Sequence, residues 1–265
     1  MPETKVEISK RYIKFMVEND WPIETQTVIF DIKKLQKIKK IGIMFSSGTD
    51  SSLIFCLLAK YIPDIEITPI YGIELNQLSG VLYVKDAYEK IRKHYPDANI
   101  QPIKYWGVDK NDPWWIERAK KDEFGFNDGK DIKTKVLIDH LNMMDIIDRG
   151  YINCAIYGTI SAPPKNECVR LGFDHLVENS RWKERYSPLW SCNDRLYQPL
   201  KHINKKFVAG IFQHEGLMDW LYPYLNSCGG NDPIATKNFT YPCKTECFHC
   251  YERQWGFGTY DFGIK

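Results

Sequence analysis

The chain has little surplus charge of either sign. Of its 265 residues, 36 are Lys or Arg and 34 are Asp or Glu, a formal net charge of +2. That balance offers no electrostatic argument for nucleic acid or an acidic membrane as the main partner. No stretch approaches the roughly 18 apolar residues of a membrane-crossing helix. The opening Met1-Pro2-Glu3-Thr4-Lys5-Val6-Glu7 holds no apolar signal region. A soluble, cytoplasmic chain is therefore expected. There is no internal repeat and no low-complexity tract. No Gly-x-Gly-x-x-Gly occurs, so dinucleotide binding has no support. The nearest approach to Gly-x-x-x-x-Gly-Lys-Ser/Thr is Gly125-Phe126-Asn127-Asp128-Gly129-Lys130-Asp131, which is one residue short and lacks the metal-binding hydroxyl.

What is present is enough apolar residue, 43%, for a full core. The length fits one large domain, or one with a small appendage. A lead-in over 1–37 holds a possible strand at Thr27-Val28-Ile29-Phe30. A strong strand at 40–46 precedes a helix that carries Leu53, Leu57 and Leu58 and stops at Pro63. A second strand covers 65–71, with Pro69 pointing to a strand end or edge. A helix over 81–94 follows, and a third strand starts at Ile100. Further helices are predicted over 133–149 and near 204–215, and a fourth strand over 154–158. This alternation predicts an α/β fold, a parallel sheet with helices on both faces. The tail, 226–258, is rich in Cys, Gly and Pro and reads as loop.

The segment Ser46-Ser47-Gly48-Thr49-Asp50-Ser51-Ser52 directly follows the first strong strand. A buried strand that breaks into Gly and small hydroxyl residues and then opens a helix can hold phosphate. Gly lets the backbone approach an anion, hydroxyls donate, and the amides of the helix start point at the ligand. The competing explanation is an ordinary turn capped by Asp50 or Ser51. In a parallel sheet ligands sit beyond the carboxyl ends of strands, which places Gly158 and Thr159 in the same crevice. Tyr71 and Trp106, near predicted strand ends, are candidates to stack on a heterocycle.

Four of the eight cysteines, Cys228, Cys243, Cys247 and Cys250, crowd into the tail. Thiolates at short spacing converge on one tetrahedral zinc, and four of them make a closed, structural site. His249 lies between two of them and is left out of the ligand set. A redox disulfide, buried thiols or an iron–sulfur cluster remain alternatives. Cys56 and Cys154 read as core residues.

The loop resembles the PP-loop of the ATP pyrophosphatase superfamily, whose signature is Ser-Gly-Gly-x-Asp-Ser, with Ser47 in place of the first Gly. Taken with Pro199-Leu200 before Lys205, and with Ser227-Cys228, Cys243, Cys247, Cys250, Arg253 and Gly256-Phe257, the chain is similar to the 7-cyano-7-deazaguanine synthase family. That family's cluster reads Cys-x2-Cys-x2-Cys, so Cys243-x3-Cys247 is a second departure. The segments 105–150 and 160–190 match nothing in it.

The resemblance implies a PP-loop/adenine nucleotide alpha hydrolase-like domain over 38–225, with a zinc-binding tail over 226–265 packed on it. It implies an ATP-dependent, C–N bond-forming ligase of queuosine biosynthesis. ATP and Mg2+ would adenylate 7-carboxy-7-deazaguanine, and ammonia would carry it through the amide to the nitrile. Ser46, Ser47, Gly48, Thr49, Asp50, Ser51 and Ser52 would bind phosphate. Asp50, Ser51 and Lys205 would be catalytic. Lys205 would reach a phosphate or the substrate carboxylate, or else lie on a solvated helix face. Arg253 would pair with an anion or pack against the cluster. A homodimer is expected from the resemblance alone. Alternatives are joining the activated deazapurine to a protein or nucleic-acid amine, a sulfur-transfer or tRNA-thiolation enzyme, and a nucleotide-dependent, zinc-containing binding module without activity.

Overall fold

The computed structural model describes residues 3–17, 26–74, 80–108, 113, 117, 135–170, 190–191, 194–226 and 248–260. Three strands open the chain: β1 (Thr4–Ile8), β2 (Tyr12–Val17) and β3 (Gln26–Asp31). They pair antiparallel in that order. Along β2, Ile13, Phe15 and Val17 point inward and are buried, while Tyr12, Lys14 and Met16 alternate outward. The sequence pattern picks out β3 alone, because charged residues on the outer faces of β1 and β2 interrupt any apolar run. Asp31 ends β3, and its carboxylate accepts the Lys34 N–H at 3.0 Å, capping the short helix α1 (Ile32–Leu35).

The main body then alternates as expected. The order is β4 (Lys40–Met44), α2 (Thr49–Tyr61), β5 (Glu66–Glu74), α3 (Gly80–His94), β6 (Lys104–Val108), α4 (Lys135–Asp148), β7 (Cys154–Ile156), α5 (Lys165–Arg170), β8 (Trp190–Ser191), β9 (Leu196–Tyr197), α6 (Lys205–His214), α7 (Leu217–Trp220), a 3-10 turn at Tyr222–Tyr224, and α8 (Phe248–Phe257). The sheet order is β6-β5-β4-β7-β9-β8. All pairings are parallel except that of the edge strand β8.

Period-two alternation divides this sheet between two apolar layers. Ile41, Ile43, Ile67, Cys154, Ile156 and Tyr197 face a cluster built with α2, α3 and α6. Ile70, Ala155 and Leu196 face a second cluster with Met143 and Met144 of α4. Both faces are thus covered by helices, the arrangement a parallel sheet requires. Ile13, Phe15, Val17, Ile29 and Phe30 belong to the first cluster, so the opening sheet shares the main core.

Three expectations are corrected. Pro69 lies inside β5, which is flanked by β4 and β6, and pairs with Ile43. Ile67 directs both its N–H and its carbonyl at residues 99 and 101, so Pro69, two residues on, faces the same side. There the neighbouring chain is broken between an isolated bridge at Ile100 and the ladder that starts at Lys104. The donor that proline lacks has no acceptor waiting there. For the same reason the third strand begins at Lys104, not Ile100. The tail is not all loop either. It contains α8, whose Cys250, Glu252 and Arg253 are buried.

Because the opening sheet and the main body share one core, Phe15→Ala should cost about 3–5 kcal/mol. Urea unfolding of the variant is expected to show one transition at lower midpoint. Two separate transitions would show the opening sheet to be an independent unit.

Candidate active site

The chain order places a reversal at β4, which pairs with β5 on one side and β7 on the other. Segments leaving β4 and β7 therefore lie side by side at the carboxyl ends of the strands, where open α/β sheets bind ligands. Phe45 ends the ladder by donating its N–H to the Ile70 carbonyl at 2.8 Å. Its ring packs edge-on to Phe55 of α2, with centroids 5.2 Å apart. One residue later the chain must turn sharply. Ser47 does so at φ +57°, in the left-handed region that favours Gly. Two contacts hold it there. Its Oγ donates to the Ser46 carbonyl at 2.6 Å, and its own carbonyl accepts the Asn226 N–H at 3.1 Å.

Gly48 is extended, at φ −71° and ψ 161°, and is the N-cap of α2. It has no side chain to cap the helix. Asp50 and Ser51, the sequence's candidates for that part, lie inside the first turn instead. The amides of Thr49, Asp50 and Ser51 are thus the leading N–H groups of a thirteen-residue helix, where the helix dipole favours an anion. Hydroxyls surround them. Ser46 Oγ and Ser51 Oγ are 3.2 Å apart, and Ser51 Oγ also donates to the Gly48 carbonyl at 3.3 Å. Ser46 is exposed, whereas Thr49 and Ser52 are buried. Ser52 Oγ has no hydrogen-bond partner among the described residues.

Lys205 arrives at this loop from the start of α6. Asn204 caps that helix by accepting the Phe207 N–H at 3.1 Å. Lys205 is 3% exposed, so the solvated-face alternative does not hold. Its Nζ donates to both Asp50 carboxylate oxygens, at 2.8 and 2.7 Å, and lies 3.2 Å from Thr49 Oγ1. A second carboxylate, the buried Glu252 Oε2 of α8, is 3.9 Å away.

Gly158 follows β7 and rests on the start of α2. A Cβ there would lie 2.7 Å from the Ser51 amide nitrogen and 2.9 Å from the Asp50 carbonyl carbon. Its part is close approach, since only Gly leaves the loop its place. Thr159 beside it is exposed. Ser161 then straps this segment to the approach of α6, its N–H to the Ile203 carbonyl at 2.8 Å and its Oγ to the Lys201 carbonyl at 2.6 Å.

The remaining candidates fall elsewhere. Arg253 is wholly buried, with Nε donating to Tyr222 Oη at 3.0 Å and the guanidinium 4.2 Å from that ring. It packs within the fold. Tyr71 and Trp106 lie inside β5 and β6, not at their ends. Burial pushes the Cys154 thiol up to about 12 and the Cys56 thiol well above its usual range, so both are inert core residues. Cys228, Cys243 and Cys247 lie outside the described residues. Cys250 is buried in the first turn of α8. No group of three or more His, Cys, Asp or Glu converges on a metal position among the described residues. The near-miss glycine segment at 125–131 also lies outside them. Sequence reasoning missed Glu252 and Asn226, which carry no motif that would single them out, and it picked out Gly256 without placing it against Lys205.

No family model matches the chain, and no curated protein matches it. Solved structures that align with the chain include two enzymes. The NMN synthetase from Francisella tularensis is 12% identical at a TM-score of 0.39, the match covering 85% of this chain and 79% of that one. The U34-tRNA thiolase NcsA from Methanococcus maripaludis, solved with its 4Fe–4S cluster, is 16% identical at a TM-score of 0.36, the match covering 67% of this chain and 56% of that one.

Ser47→Gly should leave the thermal midpoint within a few degrees, because the relieved backbone strain offsets the lost hydroxyl contact. Ser47→Val should lower stability by about 2 kcal/mol, since a β-branched residue resists positive φ. Calorimetry of the two variants side by side checks the turn.

Proposed function

We propose that this protein is an ATP-dependent enzyme that adenylates a carboxylate and passes the activated acyl group to nitrogen. One observation carries the reading. A buried ammonium from a distant helix is delivered to a hydroxyl-rich loop at an uncapped helix start. An ordinary capped turn needs no such cation. The β- and γ-phosphates would lie against the amides of 48–51 and the hydroxyls of Ser46 and Ser51, with Lys205 beside them. Those donors are preorganised for charge that grows as the bond between the α- and β-phosphates breaks.

Asp50 would not touch phosphate directly, because a carboxylate repels it. Its oxygens, with the hydroxyls of Ser46, Thr49 and Ser51, are hard donors suited to magnesium. Bound with the nucleotide, Mg2+ supplies charge neutralisation there. The chain's own residues would hold the phosphates and keep Lys205 in place.

The acceptor follows from the sequence resemblance to 7-cyano-7-deazaguanine synthases. In the first step a carboxylate oxygen of 7-carboxy-7-deazaguanine attacks the α-phosphate, and pyrophosphate leaves. Ammonia displaces AMP to give the amide and releases a proton. The amide oxygen then attacks the α-phosphate of a second ATP, releasing pyrophosphate and a proton, and loss of AMP and a second proton leaves the nitrile. A homodimer would be the working unit. In the tail, Cys250 would contribute one thiolate to zinc, with Cys228, Cys243 and Cys247 as its partners. A sulfur-transfer reading draws nothing from Cys56 or Cys154, whose thiols are held protonated.

Incubation with ATP, Mg2+, ammonium and the carboxylated deazapurine should yield pyrophosphate, AMP and a product lighter than the acid by mass spectrometry. Asp50→Asn and Ser51→Ala should each lower pyrophosphate release by about a hundredfold or more while circular dichroism stays unchanged. Release of ADP and phosphate alone would overturn the reading. Metal analysis should find about one zinc per chain, lost in Cys250→Ser with a fall in thermal midpoint. Pure protein without zinc would remove the tail assignment.

A further inference from the structure

Lys205 lies between two carboxylates that belong to different parts of the fold. Asp50 holds it closely from the first turn of α2, with a side chain 21% exposed. Glu252 of α8 is 3.9 Å from the same ammonium, with a side chain only 3% exposed. A buried ammonium is costly unless a counter-charge stays with it. If Asp50 turns to a magnesium ion, as the adenylation reading requires, Lys205 loses its nearest partner when its position matters most.

We propose that Glu252 is a positioning residue, a second anchor that keeps the Lys205 ammonium facing the 46–52 loop when Asp50 releases it. The inference rests on the adenylation reading for its timing and on the geometry for its substance. Glu252 sits on a helix outside the loop, so it stays in place when the loop takes up a nucleotide. The stem of Lys205 is confined as well. A Cβ on Gly256, one helical turn after Glu252, would lie 2.4 Å from Lys205 Cγ and 2.8 Å from its Cβ. The α8 backbone therefore presses on the stem and leaves movement to the tip, between the two carboxylates. Arg253 fixes the register of α8 through its contacts with Tyr222 and, at 5.7 Å, the Phe257 ring. The helix that carries Cys250 is thus a working wall of the phosphate site.

The test is a double-mutant cycle on the full chain, read first by urea unfolding. Asp50→Asn and Glu252→Gln should each be tolerated, because one carboxylate remains. Together they should lower the folded-to-unfolded ratio by about tenfold beyond the product of the single effects. In a Lys205→Met background that coupling should vanish. Additive effects, or coupling that survives in Lys205→Met, would overturn the proposal whether or not the protein turns over ATP. In pyrophosphate release, Glu252→Gln should lower kcat by about tenfold with KM for ATP unchanged, and Glu252→Asp should recover part of it. Wild-type kcat in Glu252→Gln would likewise overturn it. Failure of the unchanged protein to release pyrophosphate counts against the adenylation reading alone, since the unfolding cycle decides the anchor by itself.

Discussion

The contact between Lys205 and Asp50 joins segments separated by 155 positions, and the architecture around it can be understood as what makes that contact possible. An ammonium this deeply buried needs a carboxylate at hydrogen-bond distance. The carboxylate needs a fixed helix start beneath it. The helix start needs a strand to launch it and a turn tight enough to reverse the chain. β4, Ser47, Gly48 and α2 meet these needs in sequence. The sheet order then places β7 alongside, so that Gly158 can press against the same helix end.

The site is tight because each approach to it is backbone on backbone or backbone on stem. Gly158 admits the segment after β7 to within contact of the Ser51 amide, and Gly256 admits α8 to the stem of Lys205. Either position with a larger residue would push the loop or the lysine aside. Ser47 shows the opposite economy: a non-glycine residue held at positive φ by two hydrogen bonds. Strain at such a turn persists because the surrounding structure over-determines its conformation.

The N-terminal sheet and the tail helix both pack on α6, the helix that presents Lys205. Phe15 and its neighbours fill one continuous core with α2 and α6, so the two helices that present Asp50 and Lys205 are packed by common side chains. α8 closes the far side of Lys205. No helix among the described residues is long and apolar enough to cross a membrane.

Local pattern along the chain carried the separate pieces. Strand 40–44 followed by a hydroxyl-rich turn and helix, the helices near 80–94, 135–148 and 205–214, and the parallel α/β class were all legible. Periodicity and turn chemistry act between residues a few positions apart. Tertiary structure alone decided the rest. Lys205 faces the loop and not solvent, Pro69 is tolerated inside the sheet because its neighbour strand is broken, and Glu252 and Gly256 wall the site. These depend on which segments meet in space, and two residues 47 or 155 positions apart along a chain carry no mark of one another until packing brings them together.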